Sequence, residues 1–184
     1  MGEFEHVFRD DLTDRQLAHF WDAACRTGRG GAFFYDRPLP STPGFVRWCR
    51  DGGCFPWIVL FRGEPAGMCA LNGIKGRTAY GHFLLLPQKA LRTVQGLPVQ
   101  KALVRRMLAH WLYTPGIDGR PVLDRILGLT PAGNKAALHM VRLMGARLEG
   151  RVPGACYSIK DDENMDGILS CSDRETVQEE CLDY

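Results

Sequence analysis

Ala79-Tyr80-Gly81-His82-Phe83-Leu84-Leu85-Leu86, a basic turn over residues 87–97 and a helical run opening at Pro98 form the stretch that decides the fold. The first eight residues are mostly apolar and β-compatible, which predicts a strand. Residues 98–113 place Val99, Leu103, Met107 and Leu108 on one stripe and Lys101, Arg105 and Arg106 on another, which predicts an amphipathic helix lying on a sheet. Pro98 suits the first helical position, because the N–H it lacks would go unpaired there. A strand that runs through a glycine-containing loop into a helix N-terminus gathers unpaired N–H groups and the positive end of a helix dipole at one point. Such a point binds anions, phosphate above all.

Upstream, Pro56-Trp57-Ile58-Val59-Leu60-Phe61, the turn Arg62-Gly63-Glu64-Pro65 and the run over 66–74 predict two further strands, and Lys75-Gly76-Arg77 turns into the strand at Ala79. Three strands joined by tight turns make an antiparallel meander, and their continuous apolar runs require helices on both faces. Residues 3–9 alternate as a short strand. Thr13-Asp14-Arg15-Gln16 is a capping box opening a helix with Leu17, Phe20, Trp21 and Ala24 at helical spacing, ended by Gly28. Arg29-Gly30-Gly31 reads as a helix stop and not as a nucleotide loop, since no Lys-Ser/Thr follows. Ser41 or Thr42 starts a second short helix that stops at Gly52-Gly53.

Downstream, residues 122–129 read as a strand, so that strand, helix and strand imply a right-handed parallel crossover. Thr130-Pro131-Ala132-Gly133-Asn134 begins another helix ending at Gly145, and residues 147–160 close the sheet as one or two strands bent at Pro153-Gly154. The expectation is one α+β (mixed α/β) domain over residues 1–160 with about four helices, followed by an acidic tail over 161–184.

The chain has 184 residues, 45% of them hydrophobic, enough for one core. No apolar run approaches the roughly 20 residues of a membrane span, and the first residues show no basic flank or hydrophobic leader, so a cytoplasmic protein without a membrane partner is expected. Seven cysteines, with no C-x-x-C pair and no histidine at ligand spacing, read as reduced thiols and give no metal site. The net charge of +2 conceals an asymmetry: nine acidic residues after Lys160 face Arg174 alone, which leaves the preceding residues basic. A basic body suits an anionic ligand, although a solvated basic surface is an equal reading. Trp48, Trp57 and Trp111 lie within apolar patterns and read as core, not as a stacking platform, so no nucleic-acid partner is expected. The acidic tail is either partly disordered or folded back on the basic body.

The element order, with a phosphate-type loop and helix between two central strands, resembles the GCN5-related N-acetyltransferase (acyl-CoA N-acyltransferase) superfamily over residues 4–160. Leu85-Leu86-Pro87 is similar to the family's V-x-P-like strand end. Gln95-Gly96-Leu97-Pro98-Val99-Gln100 falls in register with its R/Q-x-x-G-x-G/A loop when Leu103 is aligned with the leucine that follows. Gln95 matches, whereas Pro98 and Gln100 occupy the glycine positions. The longer approach to this loop supplies Lys89 and Arg92, cations able to replace lost backbone donors. Asn134, Ala137, Met140 and Gly145 fit the family's N-x-x-A-x-x-L-Y-x-x-x-G-F helix, and Val141 stands where many members carry a proton-donating tyrosine.

The resemblance implies a central, mostly antiparallel mixed sheet with a parallel β-α-β crossover, and an acetyl-CoA or other acyl-CoA co-substrate with no metal. Leu85, Leu86, Lys89, Arg92, Gln95, Gly96, Val99, Gln100 and Asn134 are the expected coenzyme-binding residues. It also implies transfer of an acetyl or short acyl group to an unassigned amine. His82 and Tyr80 share one face of their strand, and a histidine titrates in the range a base needs. Tyr157 is the candidate replacement acid. The bland readings are a basic surface turn, a helix-start Asn134 and a core His82. A rival assignment is an inactive protein keeping this fold as a binding or structural module, and a homodimer is left open.

Overall fold

Two apolar layers grow from the alternation that a pleated strand imposes. The computed structural model describes residues 4–87, 93–94 and 97–178. Its strands are β1 (Phe4–Phe8), β2 (Cys54–Phe61), β3 (Glu64–Lys75), β4 (Thr78–Leu85), β5 (Thr93–Val94), β6 (Leu97–Pro98), β7 (Arg125–Pro131), β8 (Arg147–Ser158) and β9 (Glu163–Ser172). Its helices are α1 (Asp14–Arg26), α2 (Arg29–Phe33), α3 (Thr42–Arg50), α4 (Val99–Tyr113) and α5 (Lys135–Leu143). Among the described residues, seven strands form one sheet in the order β1-β2-β3-β4-β7-β9-β8, in which only β4 and β7 run parallel, and β5 and β6 form a separate small hairpin. The expected mixed sheet with one parallel crossover is thus present.

Ile58, Met68 and Leu84 point to one face, where they meet Leu17, Phe20, Trp21 and Phe45 of α1 and α3. Val59, Cys69 and Ala79 point to the other and meet Leu103, Met107 and Leu108 of α4. The helix starts follow their sequence signals: Thr13 and Gln16 close a reciprocal capping box, and Ser41 and Asn134 accept from the first-turn amides of α3 and α5.

Several boundaries differ from the sequence expectation for identifiable reasons. Arg29-Gly30-Gly31 forms one helical turn, α2, because Gly30 lies against the Trp21 ring; a Cβ there would come within 2.9 Å of it. Packing on a buried indole outweighs the poor helix propensity of glycine. Pro98 ends β6, and α4 begins one residue later at Val99. α4 is buried on more than the expected stripe, since Ala102, Val104, Ala109 and Leu112 are covered as well, with Leu123 and Val177 joining the same core. β7 starts at Arg125, three residues late, because Asp124 is tied outside the strand by Arg77 and Arg174 at 2.7 and 2.6 Å.

The largest correction concerns residues 161–184, expected as an acidic tail. Glu163–Ser172 is β9, which inserts between β7 and β8 and pairs with both. Its acidic neighbours are used locally: Asp166 takes Arg151 at 2.5 Å and Asp173 takes Arg147 at 2.5 Å. Beyond it, Arg174 donates to the Leu112 and Leu123 carbonyls at 3.0 Å each, neutralising the C-terminal end of α4, and Val177 is fully buried. Residues 179–184 lie outside the described residues.

One buried histidine makes stability depend on acid. His6 on β1 stacks on His110 of α4 with ring centroids 6.0 Å apart, and its Nε2 is buried without a hydrogen-bond partner among the described residues. Burial, then the charge of Arg106, then His110, holds its pKa down to about 3. Below the ordinary histidine value the unfolded chain therefore binds a proton that the folded chain refuses, and stability falls as pH falls. Urea denaturation at pH 6.5 and 4.5 is expected to show a loss of roughly 2 kcal/mol from this group, which His6→Phe removes.

Candidate active site

β4 and β7 are paired at only three positions, Thr78 with Arg125, Ala79 with Ile126 and Tyr80 with Leu127. Beyond these, residues 81–85 of β4 stay paired with β3, and residues 128–131 of β7 stay paired with β9, but not with each other. The two parallel strands therefore splay into a V, and main-chain groups on the facing edges are left without strand partners. A cavity of about 470 Å³ occupies the V, within the range of sites that hold a cofactor-sized molecule. Glycines shape its apex: a Cβ on Gly81 would come within 2.7 Å of Ile126, and one on Gly128 within 2.7 Å of Ser170 Oγ.

The slot passes through the sheet. Gln100, Val104 and Leu108 of α4 and Ala137, Met140 and Val141 of α5 line it on one side; Arg29, Phe33, Tyr35 and His82 line it on the other. Of the residues expected to bind the coenzyme, Leu85, Gln100 and Asn134 line this slot together. Asn134 Oδ1 accepts from the Ala137 N–H at 3.0 Å as helix cap, which leaves its amide N–H groups for a second partner. Leu86 is a correction: it is buried in the α1 and α3 core, with its N–H bonded to the Ala66 carbonyl at 2.9 Å. Lys89, Arg92, Gln95 and Gly96 lie outside the described residues, as does the side chain of Val99.

His82 lines the slot and Tyr80 does not. Strand parity puts both on the α1 side of β4, but Tyr80 belongs to the last paired position, below the opening. The His82 ring is open to the cleft and crowded on its other sides, with the Phe33 ring 6.2 Å away edge-on. Its Nε2 lies 3.0 Å from Asn72 Oδ1, an acceptor that places the proton on Nε2 and leaves Nδ1 with a lone pair. Crowding lowers its pKa; the Asp36 carboxylate pulls it back up in part, and Arg37 lowers it again. The ring is therefore neutral at pH 7.

Tyr157 is a further correction. Its hydroxyl donates to Asp162 Oδ1 at 2.6 Å on the exposed strand β8, away from the slot, because the strand alternation that buries Cys156 turns Tyr157 outward. Sequence reading missed Tyr35, Ser170 and Ser172, which line the slot, and His139, which lines it on α5. Tyr35 follows an apolar run that masks it, and both serines belong to the unrecognised β9. The Tyr35 hydroxyl points at Cys156 Sγ at 3.8 Å, and burial keeps its proton on. Among the described residues no group of His, Cys, Asp or Glu is placed to hold a metal ion, and no helix is long and apolar enough to cross a membrane.

A seven-stranded mixed sheet that opens between its one parallel pair, with a helix crossing from β4 to β7, defines the GCN5-related N-acetyltransferase fold. Solved structures bear this out. Spermidine N-acetyltransferase from Vibrio cholerae, in complex with CoA and spermine, superposes with a TM-score of 0.71 at 15% identity, covering 95% of this chain and 98% of that one. RimL, a ribosomal alpha-N-protein acetyltransferase in complex with coenzyme A, gives 0.68 at 14% identity over 93% and 94% of the two chains. No protein-family model matches the sequence, and no curated protein does.

Proposed function

We propose that this chain is an acyl-CoA-dependent N-acyltransferase that moves an acetyl or short acyl group onto an amine. The observation that carries the reading is the V between β4 and β7, an open slot whose facing backbone edges are free to bond an extended thioester arm. The N-terminus of α4 and its preceding turn, with Lys89, Arg92, Gln95, Gly96, Val99 and Gln100, would receive the diphosphate. Leu85 and Asn134 would flank the arm. The fold shared with two acetyltransferases crystallised with coenzyme A supports the same assignment.

In the reaction the amine nitrogen attacks the thioester carbonyl, forming the C–N bond and a tetrahedral oxyanion that accepts from main-chain N–H groups of β4 at the splay. The proton lost by nitrogen goes to His82 Nδ1, directly or through water. The C–S bond then breaks, leaving an amide and a thiolate. Val141 lines the slot and cannot protonate that thiolate; water, or the Tyr35 hydroxyl that burial keeps protonated, is left to supply the proton.

Thermal denaturation with acetyl-CoA tests the reading. Ligand at a hundred times its dissociation constant adds about 2.7 kcal/mol of stability, a rise in Tm of several degrees; no shift at millimolar ligand contradicts it. Asn134→Ser keeps an oxygen to cap α5 but removes the amide, and is expected to weaken acetyl-CoA about tenfold, roughly 1.4 kcal/mol, with little change in Tm of the free protein.

A further inference from the structure

The half of the slot not needed by a coenzyme has a distinctive charge. On the side of the slot formed by Arg29, Phe33, Tyr35 and His82, Arg29 is, among the described residues, the one charged side chain, and no aspartate or glutamate lines it. Asp36, whose charge reaches His82, is already held by Arg37 through two hydrogen bonds of 3.0 and 2.8 Å. A polyamine entering such a mouth would meet the Arg29 guanidinium and no lining carboxylate, an arrangement that disfavours it by like charge and by unpaired ammonium groups.

The same mouth offers the opposite partner. Arg29 sits at the α2 edge of the slot, exposed, with a guanidinium that has no hydrogen-bond or ion-pair partner among the described residues. Its fork of N–H groups matches a carboxylate in two parallel bonds. Phe33 and Tyr35, on the same short segment, supply an aromatic wall beside the His82 ring. We infer that the acceptor is a carboxylate-bearing amine with an apolar or aromatic body, of the amino-acid class, whose carboxylate is held by Arg29 while its amine meets His82. This rests on the transferase reading, and it sets the chain apart in substrate class from the spermidine acetyltransferase whose fold it shares.

Release of free thiol from acetyl-CoA, measured with phenylalanine, its decarboxylated analogue phenethylamine, and spermidine, tests it. Phenylalanine is expected to give a kcat/KM at least tenfold above the other two. Arg29→Gln is expected to erase the advantage over phenethylamine by raising the phenylalanine KM about tenfold, with Arg29→Lys restoring part of it. Acetyl-CoA binding by calorimetry, run on the same samples, separates the two claims. If acetyl-CoA binds but spermidine is preferred, phenethylamine matches phenylalanine, Arg29→Gln leaves the preference intact, or none of the three is acylated, the acceptor inference is overturned and the coenzyme site stands. If acetyl-CoA does not bind, both fall.

Discussion

His82→Gln lowers acyl transfer by a factor of about 10² to 10⁴ while acetyl-CoA binds as before. The separation of the two effects follows from position: the ring lies on the α1 and α2 side of the sheet, and the α4 and α5 walls of the slot are built without it. Glutamine keeps a polar group near Asn72 but cannot accept a proton at neutral pH. The pH profile gives an independent reading of the same residue. Because crowding pulls the imidazole pKa below the usual histidine range, the acidic limb of kcat/KM is expected below pH 6.5. Asp36→Asn removes the one charge that raises this pKa and frees Arg37, which lowers it, so the limb moves further toward acid. Steady-state kinetics from pH 5 to 8 check both shifts; a limb that stays put in Asp36→Asn, or full activity in His82→Gln, removes His82 as the base.

Gly128→Val is expected to weaken acetyl-CoA by more than a hundredfold, about 3 kcal/mol, because branched methyl groups would grow into the V beside Ser170. The clash itself is with a serine hydroxyl 2.7 Å from the new Cβ, a small group whose removal relieves it. Combining Gly128→Val with Ser170→Gly therefore restores the thermal stability of the free protein without restoring the ligand-induced shift. Recovery of binding in the double variant would mean that the arm does not run beside Gly128.

Much of this architecture is legible in local chemistry. Thr13, Ser41 and Asn134 announce three helices because an N-cap needs a short oxygen-bearing side chain, and the capping box at Thr13 and Gln16 forms as written. The meander follows from its turn residues, with Gly63 and Gly76 at positive φ where Arg62-Gly63 and Gly76-Arg77 were read as turns. β9 escapes because its first residues, Glu163, Asn164 and Asp166, carry the polarity of a tail; only the pairing across the hairpin, where Arg151 takes Asp166, shows that this polarity belongs to a strand. For the site, parity along β4 is enough to put His82 and Tyr80 on one face, but not to show where β4 and β7 part, and that point alone admits His82 and excludes Tyr80. Tyr157 fails for a related reason: it alternates with the buried Cys156, and which of the two neighbours turns inward is fixed only by the pairing with β9, a strand the sequence reading did not contain.

A crystal structure grown with coenzyme A tests the central claim most directly. The expected density is an extended arm lying in the V between residues 81–85 and 128–131, bonded to their free main-chain edges, with the diphosphate at the N-terminal end of α4. An arm bound elsewhere, or a V that stays empty at millimolar coenzyme, would contradict the account.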